Sequence, residues 1–349
     1  MKHFNIILIL ATIIAFSACS DDDVDPETIA DFEANNTQPD AYEEVTFSVD
    51  SDDNIEEWHW EFEGAQTETS DEAEPVVYWK EGGSYRVSLT VKSSDGEEYE
   101  TSRSDFINVV PAVEKKNQSL VNKVTSTSCT FCGTWGWQVF EDLIESYSDE
   151  AVMMGTYINR GTPYDELYER VSVSMRNAIT EQRSTPTFVV NGNLIEGFSN
   201  IDEIYDKYEN FHNEHLNAPV KVSSAINADI NGNSIAIEAK TRFFQDLEGE
   251  YKLGIYVLEH EVPEVQAYIT QAGEGALDPE RLHKYVLRAE AGDDELGREL
   301  INGSVAEGET FVENIDLEVD SDWNIDNLHF AAIIWEVNGN DHSVVNASW

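Results

Sequence analysis

Two cysteines separated by two residues, set between a β-prone run and an amphipathic helical pattern, constrain this chain more than any other stretch. The run reads Val124-Thr-Ser-Thr-Ser-Cys129-Thr-Phe-Cys132-Gly-Thr-Trp-Gly-Trp-Gln-Val-Phe-Glu-Asp-Leu-Ile144. Val139, Phe140, Leu143 and Ile144 recur at helical spacing and predict one apolar face. Cysteines three apart at the start of a helix can close a small disulfide. The unpaired N–H groups and the dipole there favour a thiolate on the first of them. Thiols so placed titrate at about 3.5–7.5.

The chain has three cysteines in 349 residues. Cys19 belongs to the leader described below, so no further cysteine exists for a structural disulfide framework. Outside the reducing cytosol the remaining pair can persist as a disulfide. Zinc is disfavoured, because two cysteines offer half a tetrahedral site and no Cys/His pair has finger spacing. No metal and no cofactor is expected. Lys and Arg number 21 against 69 Asp and Glu, a net charge of −48. Such a chain is ill suited to nucleic acid, which is held by cationic contacts to phosphate. The acidity reads as a solvated exterior, with cation binding by surface carboxylates the alternative. A length of 349 residues and a 41% hydrophobic composition predict two or three domains with real cores.

Residues 1–18 read as a signal peptide. Lys2 and His3 precede the apolar run 6–16, which is too short to span a membrane as a helix. Phe16-Ser-Ala-Cys19 resembles a bacterial lipobox, which implies cleavage before Cys19, lipidation of Cys19 and membrane attachment through the lipid. On the residues alone an ordinary secretory signal stays open. Ser20-Asp-Asp-Asp23 looks like the acidic export tract of surface lipoproteins in Bacteroidota-type bacteria. Residues 19–28 are acidic and aperiodic, an expected tether.

Residues 29–110 alternate with period two in short runs broken by Gly64, Gly82-Gly83 and Asp95-Gly96, the pattern of a small β-sandwich. Trp58, Trp60 and Phe62 fall on one face, expected in the core. Ala30-Asp-Phe32, Val45-Thr-Phe47, Trp58-His-Trp-Glu-Phe62, Val77-Tyr78, Gly83-Ser-Tyr85 and Asp95-Gly96 resemble a PKD (polycystic-kidney-disease) domain, an Ig-like sandwich. The resemblance implies a spacer or binding module. Asp50, Asp52 and Asp53 are expected as a solvated loop, with calcium chelation the alternative.

A linker is expected over 111–119 and an α/β domain over 120–217. After the cysteine stretch come a buried strand over 150–158, a helix over 164–180 and a helix over 202–215. Asn191-Gly192 between two apolar runs is a hairpin signal. Thr185-Pro186-Thr187-Phe188 resembles the Thr-Pro-Thr-Phe strand start of thioredoxin-like proteins. Together with Cys129 and Cys132, it implies a thioredoxin-like fold with a cis proline beside the sulfurs. By that resemblance Thr185 and Pro186 line a substrate groove. Trp135 and Trp137 could line it too, or pack against the neighbouring domain.

Residues 218–349 are β-rich, with runs at 221–226, 234–244, 251–258, 285–288, 310–317 and 328–336. A second β-sandwich is expected, with an irregular loop over 272–282. From residue 120 onward the arrangement resembles the twenty-eight-kilodalton outer-membrane lipoprotein family of Bacteroidota. That resemblance implies an outer-membrane location at the cell surface or the periplasmic face.

The functional expectation is thiol–disulfide exchange on envelope or surface proteins, Cys129 attacking and Cys132 resolving. The alternative is a non-enzymatic surface binding or structural lipoprotein that retains the fold. A ring as small as Cys129–Cys132 removes little unfolded-state entropy and makes a poor staple. His212 and His215 are expected as solvated helix-end residues, with metal binding the alternative.

Overall fold

The computed structural model describes residues 31–49, 55–110, 112–161, 167–180, 184–195, 200–292 and 294–349. Cys19, the expected signal peptide and tether, and Asp50, Asp52 and Asp53 lie outside the described residues. No helix among those described is long and apolar enough to cross a membrane.

The N-terminal domain is a sandwich of seven strands. One sheet joins β1 (Phe32–Ala34), β2 (Val45–Val49) and β5 (Val76–Val77). The other runs β4 (Thr69–Ser70), β3 (Ile55–Phe62), β6 (Gly83–Ser93) and β7 (Glu98–Val109). Period-two alternation drives Trp60 and Phe62 inward, where they stack with centroids 5.7 Å apart. Phe32 meets Trp60 edge-on at 5.4 Å, and Phe47 lies 4.9 Å from Phe62. Trp58 packs against the rim of this cluster. Trp60 and Trp79 each donate their indole N–H to a backbone carbonyl, Glu72 O at 3.0 Å and Glu63 O at 2.8 Å. The turn after β3 needs Gly64: its φ is +66°, and a Cβ there would lie 2.6 Å from Cε1 of Tyr85.

The next segment alternates strand and helix: β8 (Ser119–Thr125), α1 (Trp135–Tyr147), β9 (Ala151–Tyr157), α2 (Arg170–Ile179), β10 (Thr187–Val190), β11 (Asn193–Ile195) and α3 (Ile201–Leu216). Strands β8 and β9 are parallel, and β10 and β11 add on antiparallel in the order β9-β8-β10-β11. Asn191 and Gly192 both have positive φ, 48° and 80°, as a type I′ hairpin turn demands. Helices α1 and α3 cover one face around Val121, Phe140, Phe188 and Tyr208. Helix α2 covers the other. It starts at Arg170, so the expected helix over 164–180 is shorter, and Leu167 is not on it.

The remaining strands are β12 (Val222–Asn231), β13 (Ser234–Phe243), β14 (Leu247–Glu259), β15 (Val262–Ile269), β16 (Gly275–His283), β17 (Val286–Glu290), β18 (Arg298–Val305), β19 (Thr310–Glu318), β20 (Leu328–Asn338) and β21 (Asp341–Ser348). Strands β12, β13 and β19 make a three-stranded sheet that packs on β14, β18 and β20 through Phe243, Leu253, Ile255 and Ile334. The larger sheet continues past residue 217 without a break. β17 pairs in parallel with β9 at Val286 and Gly155, and antiparallel with β14. Nine strands therefore form one sheet, and one core holds Leu120 and Met154 together with Tyr256, Leu258 and Trp335.

Strand β16, at 275–283, takes up most of the loop expected over 272–282 and, among the described residues, pairs with β15 in a two-stranded ribbon. Its solvent-exposed, charged sequence hid it. The register shifts between Glu264 and Gln266, and Pro279 falls opposite that irregularity, where no ladder donor is required. This ribbon reaches the cysteines.

Candidate functional site

Cys129 and Cys132 form a disulfide with Cα atoms 5.2 Å apart. They sit in hydrogen-bonded turns that lead into α1, ahead of its first residue. Gly133 N donates to Cys129 O at 3.2 Å, and Gly136 N donates to Phe131 O at 3.1 Å. Cys132 N donates to Cys129 Sγ at 3.2 Å. Cys132 is 0% exposed and Cys129 5%. Cys129 Sγ lies 3.5 Å from Thr185 O, and the Thr185–Pro186 peptide bond is cis. Two stretches about fifty residues apart in sequence thus meet: Cys129, Cys132 and Gly136 on one side, Thr185 and Pro186 on the other. A Cβ on Gly136 would lie 2.7 Å from Cγ of Pro186, so the helix approaches the proline ring only because it lacks a side chain there.

Cys129 opens on a cleft of about 540 Å³ lined by Ser128, Thr130, Phe131, Arg160 and Thr185. Phe131 is 54% exposed between the two cysteines. Arg160 Nη1 donates to Thr185 Oγ1 at 3.2 Å and puts a cation on the rim of an otherwise acidic molecule. The arrangement offers a peptide-sized apolar step, a backbone carbonyl and a sulfur within one cleft.

The other wall comes from the C-terminal half. Ala267 N on β15 donates to Thr127 O at 2.8 Å. Ile269 N donates to Thr134 Oγ1 at 2.8 Å, which in turn donates to Thr130 O at 2.8 Å. Gly133 faces the same strand: a Cβ there would sit 2.2 Å from Ala267 O. Trp137 packs against this half. Its ring meets His283 edge-on at 5.3 Å, with Arg281 Cζ 4.7 Å from the centroid. Of the two expectations for Trp137, the structure gives packing against residues beyond 217, His283 and Arg281.

Sequence reasoning missed Lys123. It lies on β8, buried, with Nζ 4.9 Å and 5.2 Å from the centroids of Trp137 and Phe140. Desolvation pulls its pKa down to about 7; Glu141 pushes it up, and Arg281 pulls it down further. The signal was a lone lysine inside a run that a doubly covered parallel strand otherwise keeps apolar. Beside it, burial foremost and then Lys123 hold His283 down to about 3. His283 is therefore neutral at pH 7. Its Nε2 lies 3.2 Å from Glu264 O, which can only accept, so Nδ1 accepts from Tyr157 Oη at 2.7 Å. In the unfolded chain Lys123 keeps its proton to about 10.4. Between about 7 and that value the unfolded state holds the extra proton, so stability rises with pH, by at most about 1.4 kcal/mol per unit. Lys123→Met should flatten that rise in chemical-denaturation curves recorded from pH 6.5 to 9.5; an unchanged slope would place the titrating group elsewhere.

His212 is not solvated. It is 2% exposed, stacked on Tyr208 at 5.1 Å, with Nδ1 3.0 Å from Ser119 Oγ and Nε2 3.3 Å from Glu150 Oε2. It falls four residues after Tyr208 and eight after Ile204, on the apolar stripe of α3. Burial lowers the pKa of His215, whose Nε2 lies 3.1 Å from Gln118 O. Among the described residues no group of three or more His, Cys, Asp or Glu could hold a metal ion.

Fold and site define a multidomain, β-rich protein with a disulfide at the tip of a helix. Residues 20–109 match the family model of the PKD domain, and the N-terminal sandwich is such a domain. The match begins at residue 20 where 29 was expected. Among solved structures, HBP35 of Porphyromonas gingivalis is 17% identical with a TM-score of 0.51, over 67% of this chain and 74% of that one. At this identity the likeness is one of fold. The PKD1 domain of the Vibrio cholerae metalloprotease PrtV is 30% identical over 23% of this chain and 94% of its own, with a TM-score of 0.19. A domain of the outer membrane lipoprotein Omp28 from Porphyromonas gingivalis is 14% identical over 37% of this chain and 84% of its own, with a TM-score of 0.24. No curated protein matches the chain.

Proposed function

We propose that residues 120–217 are a thioredoxin-like module and that the chain performs thiol–disulfide exchange on envelope or surface proteins, held at the outer membrane by a lipid on Cys19. The observation that carries this reading is the Cys129–Cys132 disulfide set against the Thr185–Pro186 peptide beside an open cleft. The strand order β9-β8-β10-β11, with helices on both faces, supports the fold assignment. In the reduced protein the Cys129 thiolate attacks one sulfur of a client disulfide and expels the other as a thiolate. Cys132 then attacks Cys129 Sγ, which releases the reduced client. Two electrons pass to the client, and the Cys129–Cys132 disulfide is restored. The Cys132 N–H, 3.2 Å from Cys129 Sγ, is placed to stabilise the attacking thiolate.

The anchored-surface part rests on the leader: an apolar core, Cys19 and the acidic tract after it. A PKD domain between that anchor and the disulfide would serve as a spacer.

A second reading, a non-enzymatic surface lipoprotein with a retained fold, is favoured by the burial of both sulfurs. A titration against glutathione or dithiothreitol couples, with free thiols counted by alkylation and mass, separates the two. Exchange predicts a reversible two-electron transition in the native protein. A disulfide that stays closed until the protein unfolds leaves only the second reading.

A further inference from the structure

The carboxamide of Gln266, on β15, lies where four backbone carbonyls converge. Its side chain is 1% exposed. Nε2 sits 3.0 Å from Thr127 O, 3.1 Å from Cys129 O, 3.4 Å from Ser126 O and 2.8 Å from Ala267 O. An oxygen at that position would face four acceptors, so the amide can point only one way. Its two N–H groups are shared among the carbonyls. Three of those carbonyls belong to the turn that carries Cys129, more than 130 residues away in sequence. Cys129 N also donates to Ser126 O and Gly133 N to Cys129 O, both at 3.2 Å, so Gln266 adds a second donor to each and ties the turn to β15.

We propose that Gln266 is a positioning residue for the disulfide, so that the C-terminal half of the chain supplies part of the redox site. This rests on the exchange reading above. Holding Cys129 O and Thr127 O fixes the turn in which Cys132 N–H points at Cys129 Sγ. After reduction, that N–H remains aimed at the thiolate. Without Gln266 the turn relaxes, the donor moves off and the thiolate loses its stabilisation. The dithiol form is then less favoured, and the disulfide becomes harder to reduce.

Gln266→Met keeps the length and removes the donors. In the full-length protein, its reduced-to-oxidised ratio at fixed glutathione poise should fall by about tenfold, equivalent to about 30 mV. The pH midpoint for Cys129 alkylation in the reduced protein should rise. Thr134→Val cuts the neighbouring link from Ile269 N to Thr130 O and should shift both readouts in the same direction. It serves as the second test if Gln266→Met does not fold. A melting temperature that falls while redox ratio and alkylation midpoint stay at wild-type values would make Gln266 merely structural and overturn the proposal. Should the wild-type disulfide resist reduction in the folded protein, the exchange reading itself fails and takes this one with it. A reducible wild type with unshifted variants defeats the positioning role alone.

Discussion

Reduced Cys132→Ser protein, mixed with a disulfide-bearing client, is expected to accumulate a covalent complex through Cys129, while Cys129→Ser accumulates none. The asymmetry follows from access. Cys129 lines the cleft beside exposed Phe131, whereas Cys132 lies wholly behind it. An attacking sulfur must reach the client along the S–S axis, and of the two cysteines Cys129, 5% exposed, is the one that borders the cleft. The resolving sulfur needs only to reach Cys129, to which it is already bonded in the oxidised form. With Ser at 132 no second thiol releases the client, so the intermediate persists. Non-reducing electrophoresis and intact mass read the outcome directly. Trapping by Cys129→Ser in place of Cys132→Ser would reverse the assigned order, and trapping by neither would remove the enzyme reading.

Trp60→Ala is expected to cost the PKD domain about 3–5 kcal/mol, the usual range for truncating a buried aromatic side chain. Trp60 has no exposed surface and touches Phe32, Phe47 and Phe62. Its loss leaves a large cavity and strips the donor from Glu72 O. Small domains carry only about 5–15 kcal/mol in total, so this one should melt well below the rest of the chain. The disulfide lies outside this core, and its redox midpoint should not move. Calorimetry beside the thiol titration checks both halves. A shifted midpoint would mean that the N-terminal sandwich contributes to the redox site.

Much of the site was legible because its signals are local. Spacing alone marked Cys129 and Cys132, and a tetrapeptide marked Thr185 and Pro186. Asn191-Gly192 marked its hairpin because two consecutive positive φ values tolerate few other residues. Alternation placed Trp60 and Phe62 in the core of the N-terminal sandwich for the same kind of reason. The strands that were overlooked, β15, β16, β18 and β21, have little local signature. β16 is exposed on most of its length, and its pairing is set by β15 rather than by an apolar face. The continuous sheet was also hidden. One parallel bridge between Val286 and Gly155 joins the two halves, and no periodicity in either segment announces it. His212 was misjudged by its polarity, although its spacing from Tyr208 and Ile204 carried the correct answer.

By itself, the order of residues determined which side chains could do chemistry here: one pair of cysteines, a proline-led strand and a strongly acidic charge balance. Those properties need only neighbours along the chain. Tertiary structure alone decided what surrounds the sulfurs. Gln266, Lys123, Trp137 and His283 converge because a nine-stranded sheet carries the β15–β16 ribbon back onto the cysteine turn. Buried carbonyls and a buried amine find their partners through space, and contacts that span more than a hundred residues leave no periodic trace in the sequence.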